Sequence, residues 1–354
     1  MDNNTAIIGM SGGVDSSVAA WLTLQQGYRC MGLTLQLHDF GCGGSADALD
    51  ARAVAQRMGI THAILDGKAA FDTHVIRNFA ESYEAGLTPN PCIQCNNHLK
   101  FGLMLDYALE RGWNYVVSGH YARIRQEEAT GRCLLYKAAD KAKDQTYFLA
   151  QLNQQQLAHI RFPLGELTKA EVRTIAEGQG FLTARKRDSQ DICFVPDGDY
   201  AAFLCRYTGK AYPEGDYLDL EGQVVGRHKG AVRYTRGQRK GLGLAMGTPV
   251  YVVSKDMQRN TVTVGPNEAL FSGALRAKDW NWIPFPALAA PLTVTAKIRH
   301  SQTEIPATVY PEENGFARVE FQTPQRAVTP GQAVVLYDGD LVIGGGTITQ
   351  ALSF

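Results

Sequence analysis

The chain opens with a short apolar run, which is followed by apolar positions at helical spacing. The run at residues 5–8 leads into the glycine- and serine-rich stretch GMSGGVDSS at residues 9–17. Within and after that stretch, Val14, Val18 and Leu22 recur every four residues. The pattern predicts a buried strand, a tight glycine turn and the start of an amphipathic helix.

Strand and helix patterns then alternate up to about residue 180. Residues 29–37, 60–66 and 113–119 are apolar runs typical of buried strands, and helical patterns separate them. This alternation predicts an α/β fold with a parallel, doubly wound, Rossmann-like sheet. Ligands of such sheets bind beyond the carboxyl ends of the strands, where residues 9–17 and Gly119 would both lie.

Three local predictions concern the helices of this region. Leu49, Ala53 and Met58 would form the apolar face of one helix. Residues 141–152, KAKDQTYFLAQL, have a helical pattern. The sequence TKAE at residues 168–171 has the spacing of a capping box and predicts a helix start.

The second half of the chain has a different pattern. Helical spacing fades beyond about residue 200, and strands at residues 251–253 and 261–264 flank a turn, which predicts a small mixed domain. Five short alternating runs between residues 292 and 347 predict a C-terminal antiparallel β-barrel. We therefore expect three domains, at residues 1–199, 200–270 and 271–354.

Composition limits the kinds of partner and compartment. The 354 residues include 35 basic and 35 acidic side chains, so a nucleic acid partner would have to be met by local patches. The sequence has no apolar run of membrane-spanning length and no signal-peptide pattern at its start. Seven cysteines without regular spacing favour reduced thiols over a disulfide framework. We expect a soluble cytoplasmic protein, a monomer or weak dimer, without membrane contact.

The stretch at residues 9–17 has the features of a phosphate-binding loop. Gly12 and Gly13 allow the backbone to approach a ligand, and serine hydroxyls surround the free N–H groups of a helix start, which attract anions. A Walker A loop would need a lysine directly after its second glycine, and the first lysine of the chain is Lys68. The motif SGGxDS at residues 11–16 instead resembles the pyrophosphate loop of the N-type ATP pyrophosphatases, which cleave ATP to AMP and pyrophosphate.

Three cysteines occur in settings that suit chemistry. Cys92 and Cys95 belong to the stretch TPNPCIQCNNHLKF at residues 88–101, in which two prolines predict an extended loop before a helix that begins at Lys100. A helix start and a nearby lysine would lower a thiol pKa. By itself a CxxC pair also fits a redox pair or half of a zinc site. Cys193 lies in the polar stretch DSQDICFV.

The other four cysteines have ordinary structural interpretations. Cys30 and Cys205 are expected in the core, and Cys133 is expected in a strand. Cys42 lies in a glycine-rich segment and has no evident role.

Five motifs occur in an order that resembles the bacterial tRNA-specific 2-thiouridylase family. They are GMSGGVDSS (9–17), TPNPCxxCNxxxKF (88–101), SGHYAR (118–123), KDQTYFL (143–149) and DSQDICF (188–194). The resemblance covers essentially the whole chain. It implies an enzyme that replaces the 2-oxygen of the wobble uridine in tRNA anticodons with sulfur, after ATP has adenylated that oxygen.

The resemblance also implies a site. Cys95 corresponds to the nucleophile and Cys193 to the persulfide carrier, and Asp15 would hold a Mg²⁺ ion beside the departing pyrophosphate. The expected ATP-binding residues are Gly9, Met10, Ser11, Gly12, Gly13, Val14, Asp15 and Ser16 in the loop, with Leu35 and Gly119 near the adenine.

One position departs from the pattern of many family members, which have aspartate where this chain has Cys92. Cys92, Cys95 and Cys193 could then hold an iron–sulfur cluster with one open iron for a sulfide, as in related cluster-dependent tRNA thiolases. Persulfide transfer without a cluster is the main expectation. The sulfur would come from a cysteine desulfurase or a sulfur-relay protein.

Two kinds of argument predict contacts with tRNA. Residues 227–240 contain six lysines and arginines and no acid, so Arg236 and Lys240 are expected to bind phosphates, and the basic residues 185–187 extend this patch. The resemblance assigns the target base to Asn90, Pro91 and Cys92. It assigns further tRNA contacts to His120, Lys143, Asp144, Gln145, Arg299, His300 and Gln332. Without the resemblance, His300 and Gln332 would more often be ordinary surface residues of a barrel than tRNA contacts.

Two other functions fit parts of the sequence. A different adenylating enzyme with the same loop, such as an amidotransferase synthetase or argininosuccinate synthase, would not need Cys95 and Cys193. A non-enzymatic RNA-binding or redox protein would retain the loop without ATP chemistry at Asp15.

Overall fold

The computed structural model describes residues 4–38, 45–181 and 192–353. Cys42, the basic residues 185–187 and the polar residues 188–191 of the predicted site lie outside the described residues. Every helix in the described ranges is too short or too polar to span a lipid bilayer.

A five-stranded parallel sheet forms the centre of the first half of the chain. Its strands run in the order β3–β2–β1–β4–β7. Their bounds are Thr5–Gly9 (β1), Arg29–Gln36 (β2), His62–Asp66 (β3), Tyr115–Val117 (β4) and Ile160–Arg161 (β7). The predicted parallel α/β sheet is therefore confirmed.

Helices cover both faces of this sheet, because side chains of the central strand β1 alternate between two cores. Ile7 packs into the core under the helices of residues 68–110, whereas Ala6 and Ile8 pack into the core under the helices that contain Val18 and Val172. The helices are Val14–Gln25 (α1), Ser45–Arg57 (α2), Lys68–Phe71 (α3), Arg77–Glu84 (α4), Pro91–Cys95 (α5), Met104–Glu110 (α6), Gln154–Ala158 (α7), Lys169–Gly178 (α8) and Tyr200–Thr208 (α9).

Several short segments have other helical geometries. π-helical turns at Asp72–Ile76 and Asn96–Leu103 connect α3 to α4 and α5 to α6. Short 3₁₀ turns occur at Thr146–Phe148, Ala231–Arg233, Asn267–Leu270 and Glu313–Gly315. The capping box predicted at α8 is present, since Thr168 and Glu171 bond each other reciprocally.

The predicted apolar face of α2 is wrong for Leu49 and Ala53, whereas Met58, directly after the helix, packs partly buried against the core. Leu49 is 66% exposed and Ala53 is also exposed, whereas Ala51 and Ala55 are fully buried. The helix has two apolar stripes, and the alanine stripe faces the sheet because small side chains allow close approach of helix and strand. α9 was not predicted, since its apolar positions follow a segment of weak helical spacing.

The predicted helix over residues 141–152 is also wrong, because only the single turn Thr146–Phe148 forms. The carboxylate of Asp144 accepts hydrogen bonds from the backbone N–H of Ala138 and the hydroxyl of Thr146. These side-chain bonds replace helical backbone bonds and fix a tight turn. Tyr147 is nevertheless buried, as the apolar spacing indicated.

The second half of the chain contains two further sheets. The small central sheet has the order β10–β11–β8–β9, with β11 parallel to β8 and the other pairs antiparallel. Its strands are Gly215–Leu218 (β8), Val224–His228 (β9), Tyr251–Asp256 (β10) and Thr261–Gly265 (β11).

The C-terminal sheet closes into an antiparallel barrel, as predicted. Its six strands have the order β12–β15–β14–β13–β16–β17, and β12 also pairs with β17. They are Phe271–Trp282 (β12), Leu292–Lys297 (β13), Ile305–Pro311 (β14), Ala317–Arg326 (β15), Ala333–Asp338 (β16) and Leu341–Leu352 (β17). β12 was not predicted.

A hairpin from the first half of the chain joins this barrel sheet. The strands Ala122–Gln126 (β5) and Cys133–Lys137 (β6) pair with each other, and Tyr136 of β6 pairs with Leu341 of β17. Residues 122–137 thus belong to the same sheet as the barrel. The division of the chain at residues 199 and 270 stays a proposal.

A buried ion pair reinforces this junction. The ammonium of Lys137 lies 2.5 Å from a carboxylate oxygen of Glu304, and the Lys137 side chain is only 9% exposed. It also donates to the carbonyl of Gly339 and faces the ring of Tyr337. Because both charged groups are largely removed from water, each one depends on the other for stability.

We predict that Lys137→Met lowers the free energy of unfolding by about 3 kcal/mol, because Glu304 keeps its charge without its partner. Urea denaturation followed by circular dichroism measures this change. Lys141→Met is the matched control, since the Lys141–Asp340 pair is exposed and contributes less than about 1 kcal/mol. Equal destabilisation by both changes would contradict the prediction.

Candidate active site

The glycine- and serine-rich stretch joins β1 to α1 at the carboxyl end of the central strand. Gly12 has a φ of 65°, and Gly13 caps α1 without a side-chain bond of its own. The hydroxyls of Ser16 and Ser17 donate to the carbonyl of Gly13 at 3.0 and 2.9 Å. The serines therefore brace the turn, and the N–H groups of the first turn of α1 point towards the site.

Gly119 lies directly against this loop. A Cβ atom at Gly119 would be 2.7 Å from the carbonyl carbon of Asp15 and 2.8 Å from the nitrogen of Ser16. Only glycine permits that approach between backbones. Leu35, near the carboxyl end of β2, is buried beside the same edge of the sheet. The predicted loop residues, Leu35 and Gly119 thus meet where ligands of parallel sheets bind.

Met10 fixes the loop to the neighbouring strand. The Met10 backbone N–H donates to the carbonyl of Leu33, and the Met10 carbonyl accepts from the Thr34 hydroxyl at 2.8 Å. Its side chain is buried against Gly32, where an added Cβ would lie 2.6 Å from the Met10 sulfur. Met10 is therefore a structural anchor of the loop.

Asp15 is held by two residues that the sequence did not indicate. The ammonium of Lys169 lies 2.8 Å from each carboxylate oxygen, and the hydroxyl of Tyr121 donates to one of them at 2.9 Å. The capping-box sequence predicted that α8 begins at Lys169, but sequence spacing does not indicate which side chain Lys169 contacts. Tyr121 gave no separate signal.

Among the described residues, no further side chains join Asp15 to form the predicted magnesium site. Both oxygens of Asp15 already contact the ammonium of Lys169. The described residues contain no group of three His, Cys, Asp or Glu side chains that suits a metal ion. We therefore derive no chemical step through Mg²⁺.

The two cysteines of the CxxC pair lie on a helix and not, as expected, in an extended loop before one. Asn90 is the N-cap of α5, Pro91 occupies the first helical position, and Cys92 and Cys95 follow within that helix. Proline is well suited to the first helical position, because the N–H that it lacks would have no helical partner. Cys95 is buried, and Cys92 reaches solvent.

The expected lowering of the thiol pKa values is wrong in direction. Burial raises the pKa of Cys95, and the nearby Lys100 ammonium only partly opposes that rise. Burial among surrounding protein atoms also raises the pKa of Cys92, although its side chain reaches solvent, and Lys100 again opposes it. Desolvation is therefore the larger effect on both thiols.

Lys100 also acts on His120, which lies in the interior. The imidazole packs between Phe101 and Phe162, and its Nδ1 lies 2.7 Å from the Ser118 hydroxyl. Burial, followed by the charge of Lys100, holds the pKa of His120 well below its usual range, so the ring is neutral at pH 7. Its side chain faces the protein core, which argues against the predicted direct contact with tRNA.

The helix that carries the cysteines contains a π-helical turn held by Gln156. This side chain donates to the carbonyls of Asn97 and Phe101, both at 2.9 Å. The amide of Asn96, which follows Cys95, donates to the carbonyl of Phe148 at 3.1 Å. Wide turns of this kind often occur at functional sites, and Gln156 was not indicated by the sequence.

The barrel holds the segment that precedes Cys92. The amide of Gln332 donates to the carbonyl of Thr88 at 3.0 Å, and the Thr88 N–H donates to the carbonyl of Pro330 at 2.9 Å. Gly331 has a φ of 91°, and an added Cβ would lie 2.7 Å from the Thr88 nitrogen. Gln332, predicted to contact tRNA, is therefore used inside the protein to position this segment.

The structure brings two other predicted tRNA segments together. The ring of His300 lies 4.4 Å from that of Phe148, next to residues 143–145. Arg299 and His300 are both exposed. Asp144 is buried and occupied by internal hydrogen bonds, which argues against a contact with tRNA. Gln145 accepts from the backbone N–H of Tyr121 at 2.9 Å.

Cys193 lies at the edge of the apolar core that contains Cys95. The adjacent Phe194 packs against Phe71 and Phe79 at ring distances of 5.6 and 5.2 Å. The described residues include Cys92, Cys95 and Cys193, and these thiols do not form a group that suits a metal ion or cluster.

The basic central segment is only partly available for phosphates. The guanidinium of Arg236 is half-buried and donates to the carbonyl of Val253 at 3.1 Å. Arg239 and Lys240 are exposed. Arg239 and Lys240 are thus the residues of this patch that remain accessible to a phosphate. Arg236 instead bonds β10 of the central sheet.

The fold and the loop define an α/β nucleotide-binding protein with thiols beside its site. Residues 4–197 match the family model described as the tRNA methyl transferase HUP domain. Residues 201–266 match the tRNA methyl transferase PRC-barrel domain, and residues 272–348 match the aminomethyltransferase β-barrel domain.

Curated relatives match over the full length. The tRNA-specific 2-thiouridylase MnmA of Acetivibrio thermocellus is 47% identical, over 98% of this chain and 100% of its own. The protein of the same name from Symbiobacterium thermophilum is 48% identical, over 98% of this chain and 92% of its own. The chain belongs to the tRNA-specific 2-thiouridylase family.

A solved structure, the U34-tRNA thiolase NcsA from Methanococcus maripaludis with its [4Fe-4S] cluster, overlaps part of the chain. It is 18% identical, covers 58% of this chain and 65% of its own, and has a TM-score of 0.36. An overlap at this level does not bear on the sulfur chemistry of the present protein.

We predict that Lys100→Met raises the pKa of Cys95 further, because the ammonium is the charge that opposes its desolvation. In a Cys92→Ser background, alkylation of Cys95 by iodoacetamide at pH 8 should slow by roughly three- to tenfold. Peptide mass spectrometry measures alkylation of Cys95 separately from the other thiols. Lys141→Met is the control, and an unchanged rate of Cys95 alkylation in Lys100→Met would refute the assignment.

Proposed function

We propose that this protein catalyses ATP-dependent 2-thiolation of the wobble uridine of tRNA. One set of contacts carries the proposal, because it joins the phosphate loop to the cysteine helix. Gln145 bonds Tyr121, which bonds Asp15 of the loop. Three residues later, Phe148 accepts from Asn96, the neighbour of Cys95. These hydrogen bonds would therefore hold a nucleotide on the loop and a base near the thiols in fixed positions relative to each other.

The first step activates the base. The C2 oxygen of uracil attacks the α-phosphorus of ATP, which forms an O–P bond and releases pyrophosphate. N–H groups at the start of α1 stabilise the departing negative charge. This adenylation turns a poor leaving group into AMP, which is why an ATP-cleaving loop suits thiolation.

The second step delivers sulfur. The terminal sulfur of a persulfide on Cys193 attacks C2, and the C2–O bond to AMP breaks. The Cys95 thiolate then attacks the Cys193 sulfur, which releases 2-thiouridine and leaves a Cys95–Cys193 disulfide. An external dithiol must reduce that disulfide before the next cycle, and a cysteine desulfurase or sulfur-relay protein would supply the persulfide.

The persulfide scheme is preferred to an iron–sulfur cluster. Cys193 packs, partly buried, against the apolar core that contains Cys95, and this packing would shield a persulfide on Cys193 from part of the solvent. The described thiols of Cys92, Cys95 and Cys193 also lack the arrangement that a cluster would need. Cys92, Asn90 and Pro91 would instead contact the target base at the start of α5.

The tRNA would lie across exposed basic residues near this site. Arg299, which is exposed, and Lys143, which is partly exposed, lie near the turn that holds Asn96, and Lys240 lies in the exposed part of the central basic segment. Phosphate contacts of this kind position the substrate without reading its sequence.

We predict that Cys95→Ser and Cys193→Ser each abolish formation of 2-thiouridine, because each removes one sulfur of the relay. Mass spectrometry of tRNA nucleosides after incubation with ATP and a sulfur source measures the product. Cys133→Ser is the matched control, since Cys133 lies in β6 and is expected to leave activity unchanged.

The same assay applied to Cys92→Ser separates the two sulfur schemes. Persulfide transfer predicts measurable activity in this variant, whereas a three-cysteine cluster predicts its complete loss. Full formation of 2-thiouridine by both Cys95→Ser and Cys193→Ser would contradict the two-cysteine relay. Absence of 2-thiouridine with the wild-type protein would instead favour another adenylating enzyme.

We predict that the double change Arg239→Ala/Lys240→Ala weakens tRNA binding and lowers the slope of log K against log salt by about two, because two phosphate contacts are lost. Filter binding across a salt series measures both values. Lys278→Ala, which removes one charge from an exposed barrel lysine, is the control and should leave the slope unchanged. An unchanged slope would exclude this patch from the interface.

A further inference from the structure

We propose that Lys169 is a positioning residue of the nucleotide site, which neutralises Asp15 so that the loop can accept a triphosphate. The inference rests on the proposed ATP chemistry and adds to it a residue outside the loop motif. The loop itself contains no lysine, and the first lysine of the chain is Lys68. The positive charge of this site therefore has to come from elsewhere in the fold.

The fold fixes Lys169 rigidly. It is the first residue of α8, and its backbone N–H donates to a carboxylate oxygen of Asp140 at 3.0 Å. The reciprocal bonds of Thr168 and Glu171 hold the same helix end. Its side chain is largely buried and has little freedom away from Asp15.

The ammonium of Lys169 engages the loop at one residue. It lies 2.8 Å from both oxygens of Asp15, and the Tyr121 hydroxyl adds a third bond to the same carboxylate. Together the two donors fix the orientation of the carboxylate. Asp15 is still 30% exposed, so its charge faces the place where a ligand would bind.

The reason for this arrangement is electrostatic. The start of α1 attracts phosphates through its N–H groups and its dipole, but Asp15 adds a full negative charge within that first turn. A carboxylate beside a triphosphate repels it, and the repulsion is strong where water is partly excluded. The ammonium cancels this charge while it leaves the backbone donors of the loop in place.

Helix packing does not depend on the ion pair. α1 and α8 contact each other through Val18, Val172 and Ala176, which are all fully buried. Loss of the ammonium should therefore change the charge of the site without separating the two helices. This makes the electrostatic role testable apart from a structural one.

The test measures binding of α,β-methylene-ATP, which cannot be cleaved between the α- and β-phosphates, by titration calorimetry without divalent cations. Lys169→Met should weaken binding at least about tenfold, and Lys169→Arg should stay within about threefold of the wild type. Asp15→Asn should bind the analogue more tightly than the wild type, because Lys169 then remains as an uncompensated cation.

The double variant Asp15→Asn/Lys169→Met should bind more tightly than Lys169→Met alone, since the repelling carboxylate is gone. A merely structural role predicts the opposite, that the second change adds further loss. Wild-type affinity in Lys169→Met, or weaker binding in Asp15→Asn, would overturn the proposal. If circular dichroism shows that Lys169→Met is unfolded, the test rests on Asp15→Asn alone. Tighter binding of the analogue then supports the proposal, and weaker binding overturns it.

The outcome is separable from the test of the overall function. A wild-type protein that thiolates tRNA, with equal nucleotide affinity in Lys169→Met, would refute only the role of Lys169. A wild-type protein that does not bind the analogue would refute both proposals. Binding of tRNA should be unchanged in all four variants, since the ion pair lies on the nucleotide side.

Discussion

The hydrogen bonds of the buried turn at residues 144–148 hold the candidate active site together. The carboxylate of Asp144 fixes the turn. The side chain of Gln145 accepts a hydrogen bond from the backbone N–H of Tyr121, and the carbonyl of Phe148 accepts one from the side-chain amide of Asn96. The hydroxyl of Tyr147 donates to the barrel at Ala333 at 2.9 Å. One short segment therefore ties the loop side, the cysteine helix and the barrel to each other, in an interior where unmade polar bonds are costly.

The barrel takes part in the site for the same reason. It supplies Gln332 and the carbonyl of Pro330 to the segment before Cys92, and its sheet continues into the β5–β6 hairpin. The buried Lys137–Glu304 pair strengthens that continuity. The C-terminal barrel is thus part of the frame that positions the thiols, in addition to any role as a surface for tRNA.

Charge is distributed around the site by residues that lie far apart in sequence. Lys100 opposes the effect of desolvation on the pKa values of Cys92 and Cys95, and it adds to the burial that lowers the pKa of His120. Lys169 pairs with Asp15. In both places a lysine faces a group whose charge the interior would otherwise disfavour. The cysteine helix and the glycine loop thus each have their own ammonium group, Lys100 and Lys169.

The sequence by itself determined the parallel sheet, the loop at its carboxyl edge, the barrel and the capping box of α8, because these follow from local spacing and from turn residues. It also predicted that the loop and the thiols of Cys92 and Cys95 belong to the site, and this stays a prediction. Only the tertiary structure decided which stripe of α2 is buried, that Pro91 starts a helix, and that burial outweighs Lys100 in setting the thiol pKa values. Likewise, the pairing of Asp15 with Lys169, and the internal use of Gln332 and Arg236, depend on contacts between distant segments. Such contacts produce no periodic pattern in the sequence. Each joins two side chains from distant segments, and the packing of whole helices and strands sets the positions of both.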